Sequence, residues 1–168
     1  SVSAALAQIN LNDVPTDLTP PKVEDGPVLV GHRVRATTKG WEGTGAHHTI
    51  YLPPDLVPDG RLPVIVEYAG NGGYANKLGD TSDGTVEGCM LGYGLSGGKG
   101  FIWLCLPFVT ADKQNATKWW GDVEETKRYC LATVTDICAT FGDAKRVVLM
   151  GFSRGAIACN YIGLHDDE

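Results

Sequence analysis

The sequence predicts an α/β fold, a mostly parallel sheet with an antiparallel strand pair at its N-terminal side, and three observations carry that expectation. From Pro63 onward the chain alternates as strand, loop, strand, helix, strand, helix, an order that calls for parallel strands joined by right-handed crossovers. Phe101 to Leu106 is a continuous apolar run of strand length, the pattern of a buried strand. Arg146 to Met150 is the next buried strand, and it passes through Gly151-Phe152-Ser153-Arg154-Gly155 directly into a helical stretch of small residues.

The elements follow in order. Residues 1–27 read as an N-terminal arm or linker: Pro15, Pro20, Pro21 and Pro27 interrupt any regular structure there. Residues 28–168 form the folded part. Val28 to Ala36 and His47 to Leu52 are β-prone runs joined by the glycine-containing loop Lys39 to Gly45, which suggests the antiparallel pair. Pro53, Pro54 and Pro58 stop the second run. Pro63 to Ala69 is a stronger strand and enters Gly70-Asn71-Gly72-Gly73 at once. Residues 70–100 hold eleven of the chain's 22 glycines, so that segment is expected to be loop, with at most a short helix near Val86 to Leu91. Asp122 with Glu125 three residues on is a capping-box pattern, and the helix it opens should run to about Phe141 and stop at Gly142. After the Arg146 strand, Arg154 to Ile162 completes the set as a short helix.

Composition narrows the function classes. With 43% hydrophobic and 20% charged residues the chain is an ordinary globular sequence. A net charge of -6 and the absence of any Lys/Arg run leave no electrostatic footprint for nucleic acid. No apolar stretch reaches the roughly 18 residues of a membrane span. The five cysteines form no C-x-x-C pair and have no histidine at metal-ligand spacing, so neither a metal nor a cofactor is implied. Their odd number leaves at least one unpaired within the chain. Ala5 to Ala7 resembles a signal-peptidase site without the regions that should precede it, a weak lean toward a secreted or periplasmic location.

The chemistry is concentrated at Ser153. G-x-S-x-G after a strand and before a helix is the nucleophile-elbow pattern: Gly151 and Gly155 allow the crowded backbone, and the serine hydroxyl is held up toward substrate. On these residues, and over the chain from about residue 28 onward, the sequence resembles the α/β-hydrolase superfamily, in particular serine esterases of the feruloyl-esterase and polyhydroxybutyrate-depolymerase kind. The resemblance implies Ser153 as nucleophile and an oxyanion hole made by the Arg154 backbone N–H and one N–H from the loop after the third strand. That loop is Ala69 to Gly73. It lacks the histidine of the H-G-G-G type, so the donor among Asn71, Gly72 and Gly73 stays open. Trp119 and Trp120, on the same sheet edge, line a substrate pocket or simply pack.

The family's chain order is serine, acid, histidine. His32, His47 and His48 precede the serine, and His165 would lie roughly 18 Å along a continuous helix from it. The resemblance therefore implies a chain truncated after the nucleophile helix, with the triad acid and histidine missing and little activity in this stretch alone. A small-molecule or polymeric ester is the expected substrate. A non-catalytic binding domain on the same fold and an acyltransferase using the same serine are the rivals. Two other patterns are discounted. Gly92 to Gly97 matches G-x-G-x-x-G but precedes a strand instead of following one, and no helix is expected behind it. Asn115-Ala116-Thr117 is a glycosylation sequon, a pattern frequent by chance.

Overall fold

The computed structural model describes residues 18–165. The Ala5 to Ala7 triplet, Asp166 and Asp167 lie outside the described residues. Six strands form one sheet: β1 (Val23–Asp25), β2 (Arg33–Ala36), β3 (His48–Tyr51), β4 (Leu62–Tyr68), β7 (Ile102–Leu106) and β10 (Gly142–Gly151). Their order across the sheet is β1-β2-β3-β7-β4-β10. The β2/β3 and β3/β7 pairings are antiparallel, and β1/β2, β7/β4 and β4/β10 are parallel. Two small hairpins, β5 (Tyr74–Ala75) with β6 (Thr81–Ser82) and β8 (Phe108–Val109) with β9 (Asn115–Ala116), stand off the sheet.

The period-two alternation of the central strands divides the core into two faces. Val64, Val66, Tyr68, Ile102, Leu104 and Leu106 pack with Tyr129, Cys130 and Ala158 of the long helices. Ile65, Trp103 and Cys105 pack with Tyr51, Val86 and Cys89, and Tyr93 leans on them. Helices α2 (Val123–Thr140) and α3 (Arg154–His165) thus cover one face, and α1 (Leu91–Ser96) covers the other. The direction of travel explains the split. From β4 the chain steps one way to β7, and from β7 it steps back past β4 to β10, so right-handed crossovers emerge on opposite faces. No helix among the described residues is long and apolar enough to cross a membrane.

The α2 boundaries follow from local chemistry. Asp122 Oδ1 accepts from Glu125 N at 2.8 Å, and Glu124 and Glu125 sit in the first turn where the helix dipole favours them. Buried Glu125 in turn accepts from Trp41 Nε1 at 2.7 Å and pairs with Arg128. At the far end a side chain at Gly142 would press on Val64.

Five expectations are corrected. Val23–Asp25 is an edge strand inside the stretch read as free of regular structure: it falls between Pro21 and Pro27, and Asp25 is fixed to Arg35 at 2.7 Å. Helix α1 begins where the expected one ended, and it runs through the Gly92 to Gly97 pattern. Its start is set by a distant group, the buried Glu67 carboxylate, which accepts from Met90 N, Leu91 N and Gly92 N at 3.1, 3.1 and 2.7 Å. The two hairpins were not foreseen, because two-residue strands carry no readable period. Strand β10 starts at Gly142, with its register broken between Gly142 and Val147. It is also less buried than its apolar run suggests, Val148 being 45% exposed, because it is the last strand of the sheet among the described residues.

Candidate active site at the carboxyl edge of the sheet

Strands β4 and β10 are parallel neighbours with Tyr68 opposite Gly151, so the loops that leave their carboxyl ends emerge side by side. From β10 the chain passes through Phe152 and Ser153 into α3. Ser153 has φ +52°, a left-handed conformation that costs a residue with a side chain on the order of 1–3 kcal/mol and is retained only where the surroundings enforce it. The enforcement is visible. A Cβ at Gly151 would lie 2.4 Å from the Gly155 carbonyl carbon, and one at Gly155 would lie 2.0 Å from the Tyr68 carbonyl oxygen. The first turn of α3 is therefore pressed directly onto the end of β4, and Ser153 is left exposed at the bend.

From β4 the chain passes through Ala69 and Gly70, whose missing side chain makes room for the Phe152 ring. Asn71, Gly72, Gly73, Tyr74, Phe152 and Ser153 line one open cleft of about 520 Å³. The Gly72 N–H, however, donates to Thr117 O at 2.8 Å and is spent, which removes Gly72 from the candidate donors and leaves Asn71 and Gly73. Asn71 Oδ1 accepts from Trp119 N at 2.8 Å, tying the 116–119 segment to the loop. A third loop crosses at the same point: a Cβ at Gly84 would fall 1.9 Å from Thr117 O.

Arg154 has a second part that its position after the serine did not disclose. Its guanidinium is buried, donating to Trp119 O at 2.6 Å, to Ala116 O at 3.3 Å and to Gly84 O at 3.3 Å, and it lies 4.1 Å above the Phe108 ring. Burial lowers its pKa to about 10, so it remains charged at neutral pH. One side chain from the elbow thus holds carbonyls of the 116–119 segment and of Gly84, the two segments that meet at Gly72 of the loop lining the cleft.

Of the two tryptophans, Trp119 is 71% exposed with φ +58° and is held by its backbone. Trp120 packs edge-on to Phe108 and lines a separate apolar groove with Val123, Ile157 and Tyr161 between α2 and α3. Neither lines the Ser153 cleft. The aromatic groups that do are Tyr74 and Phe152, whose rings are 5.9 Å apart. No sequence signal singled them out.

The described histidine side chains are engaged elsewhere. His48 is buried against the Tyr129 hydroxyl at 2.8 Å, and burial lowers its pKa to about 4. His47 faces Glu87 at 3.0 Å; that hydrogen bond raises the histidine and holds Glu87 down at about 2. His32 meets Glu24 at 3.0 Å on the surface.

No protein-family model matches the chain, and no curated protein matches it in sequence. In structure it is similar to a candidate dipeptidyl aminopeptidase IV from Bacteroides ovatus, with a TM-score of 0.54 and 19% identity over 80% of this chain and 20% of that one. The fold is α/β-hydrolase-like. This chain spans about a fifth of that protein's length, and at this identity the likeness speaks for the fold alone.

Proposed function

We infer that this chain carries the nucleophile of a serine hydrolase acting on carboxylic esters through an acyl-enzyme on Ser153. The observation that carries the reading is the combination at the bend: an exposed serine at φ +52° sharing one cleft with the glycine loop that follows the neighbouring parallel strand. In this reading the hydroxyl attacks the ester carbonyl, and the developing oxyanion is met by the Arg154 N–H and by an N–H from Asn71 or Gly73. The proton passes to a base other than His32, His47 and His48, each of which has another partner. The Arg154 guanidinium keeps the loops beside the cleft in place, so the donors are oriented before substrate arrives.

A peptide or amide substrate is a second reading, favoured by the name of the structural neighbour. The full natural chain and residues 1–168 are assayed in parallel with p-nitrophenyl acetate and with an aminoacyl p-nitroanilide. Ester turnover in the full chain that disappears in Ser153→Ala supports the esterase; anilide turnover of the same dependence supports the peptidase. Activity that survives Ser153→Ala removes the nucleophile, and full activity in residues 1–168 would mean that a base lies within them.

A further inference from the structure

On the face of the sheet opposite α2 and α3, two thiols from separate segments meet. Cys105 is the fourth residue of β7 and is fully buried. Cys89 belongs to the irregular segment between β6 and α1. Their sulfurs and a Glu67 carboxylate oxygen all lie within 4.8 Å of one another. We propose that Cys89 and Cys105 are a redox pair, which a small disulfide oxidant converts to an intramolecular disulfide that fastens the 83–90 segment to β7.

The surroundings suit a thiol pair better than a cation. Both Glu67 oxygens are already occupied, Oε1 by Met90 N and Leu91 N, Oε2 by Gly92 N at 2.7 Å and Trp103 Nε1 at 2.8 Å. A positive group is also in place: Arg33 Nη2 lies 3.5 Å from Cys105 Sγ and donates to Val86 O and Cys89 O, with its guanidinium 4.2 Å over the Trp103 ring. A metal ion would have to displace four N–H donors and sit beside a guanidinium. A disulfide requires only that the sulfurs close to about 2.05 Å. Cys89, in an irregular segment, can supply that movement. The Cys105 thiol against it, together with burial, raises the Cys89 pKa, so Cys89 is held as the thiol and attacks an oxidant slowly.

Access comes from one side. Cys89 borders a cleft that it shares with Glu67, Gly70, Ser82, Asp83 and Phe152, and Phe152 also lines the cleft of Ser153. The Cys89 thiol loses its proton to water, and its sulfur attacks one sulfur of the oxidant, R–S–S–R, expelling RS⁻ and forming Cys89–S–S–R. The Cys105 thiol then gives its proton to the departing thiolate as its sulfur attacks Cys89 Sγ, so the second R group leaves as RSH. Two protein thiols give up two protons and two electrons, and one disulfide becomes two small thiols. Arg33 places a positive charge beside the Cys105 sulfur, through which the second step passes.

The crosslink would act on the cleft because the 83–90 segment is part of its wall. The proposal stands on the sulfur geometry and does not depend on Ser153 being a nucleophile. Its test is titration of the purified chain with hydroxyethyl disulfide, followed by thiol counting in denaturant and peptide mapping without reductant. The five thiols should fall to three, the mass should drop by about 2 Da relative to the reduced chain, and one peptide should join Cys89 to Cys105. Amide exchange over residues 83–92 should slow by about tenfold on oxidation and return with reductant. In Cys89→Ala the crosslink should be absent while circular dichroism stays unchanged; Cys105→Ala is the second control. Five thiols after saturation, a stable mixed disulfide at Cys89, a crosslink between any other pair such as Cys130 and Cys159, or the same loss of thiols in Cys89→Ala would overturn it.

Discussion

Two glycine patterns of similar spacing each accompany a helix, yet they impose different demands on the chain. In Gly151 to Gly155 the glycines face backbone: an added Cβ meets the Gly155 carbonyl carbon at 2.4 Å and the Tyr68 carbonyl oxygen at 2.0 Å, and neither atom can move without moving a strand or a helix. In Gly92 to Gly97 only Gly92 is sterically required, with Trp103 Cδ1 at 2.4 Å from the added atom. Gly94 has open space, and Gly97 is needed for its φ of +61° at the end of α1. One pattern meets backbone at both of its glycines; the other makes a demand at two of three, once through a side-chain ring at Gly92 and once through the positive φ of Gly97. A glycine motif is thus informative to the extent that each glycine meets backbone.

The sharpest way to break this comparison is Gly155→Ala. With the Tyr68 carbonyl in the way, it should destabilise the chain by on the order of 4 kcal/mol, the upper range for a single substitution, and urea unfolding reads that directly. A loss under about 1 kcal/mol would mean that α3 is free to lift off β4. Gly92→Ala should cost less, about 1–3 kcal/mol, because the Trp103 ring can shift while β7 stays in place. Trp103 fluorescence should change with it, and an unchanged spectrum would show that the ring was never in contact. Ser153→Gly should raise stability by about 1 kcal/mol, relieving the left-handed residue, while abolishing ester turnover in the full chain. A stability loss would contradict the φ of +52°. The smallest effect belongs to Gly94→Ala, an exposed helical position where alanine should gain about 0.5–1 kcal/mol; a measurable loss would place Gly94 in a contact that the fold does not show.

The residues themselves determined the succession β4, β7, α2, β10 and α3, the start of α2 at Asp122, and the bend at Ser153. These signals are local: a period, a cap three residues from its partner, a glycine two residues from a serine that must turn. Tertiary structure alone decided the rest. Helix α1 exists in a glycine-rich run because Glu67, on a strand more than twenty residues earlier, accepts its first N–H groups. Gly72 was as good a donor as its neighbours until Thr117 took its N–H. Arg154 reads as a backbone donor, yet its guanidinium meets carbonyls 35, 38 and 70 residues away. Strand β10 looks central from its apolar run and is the last strand of the sheet among the described residues. Periodicity and capping are settled within a few residues of chain, whereas the partner of a buried polar group is whichever distant segment packing brings to it.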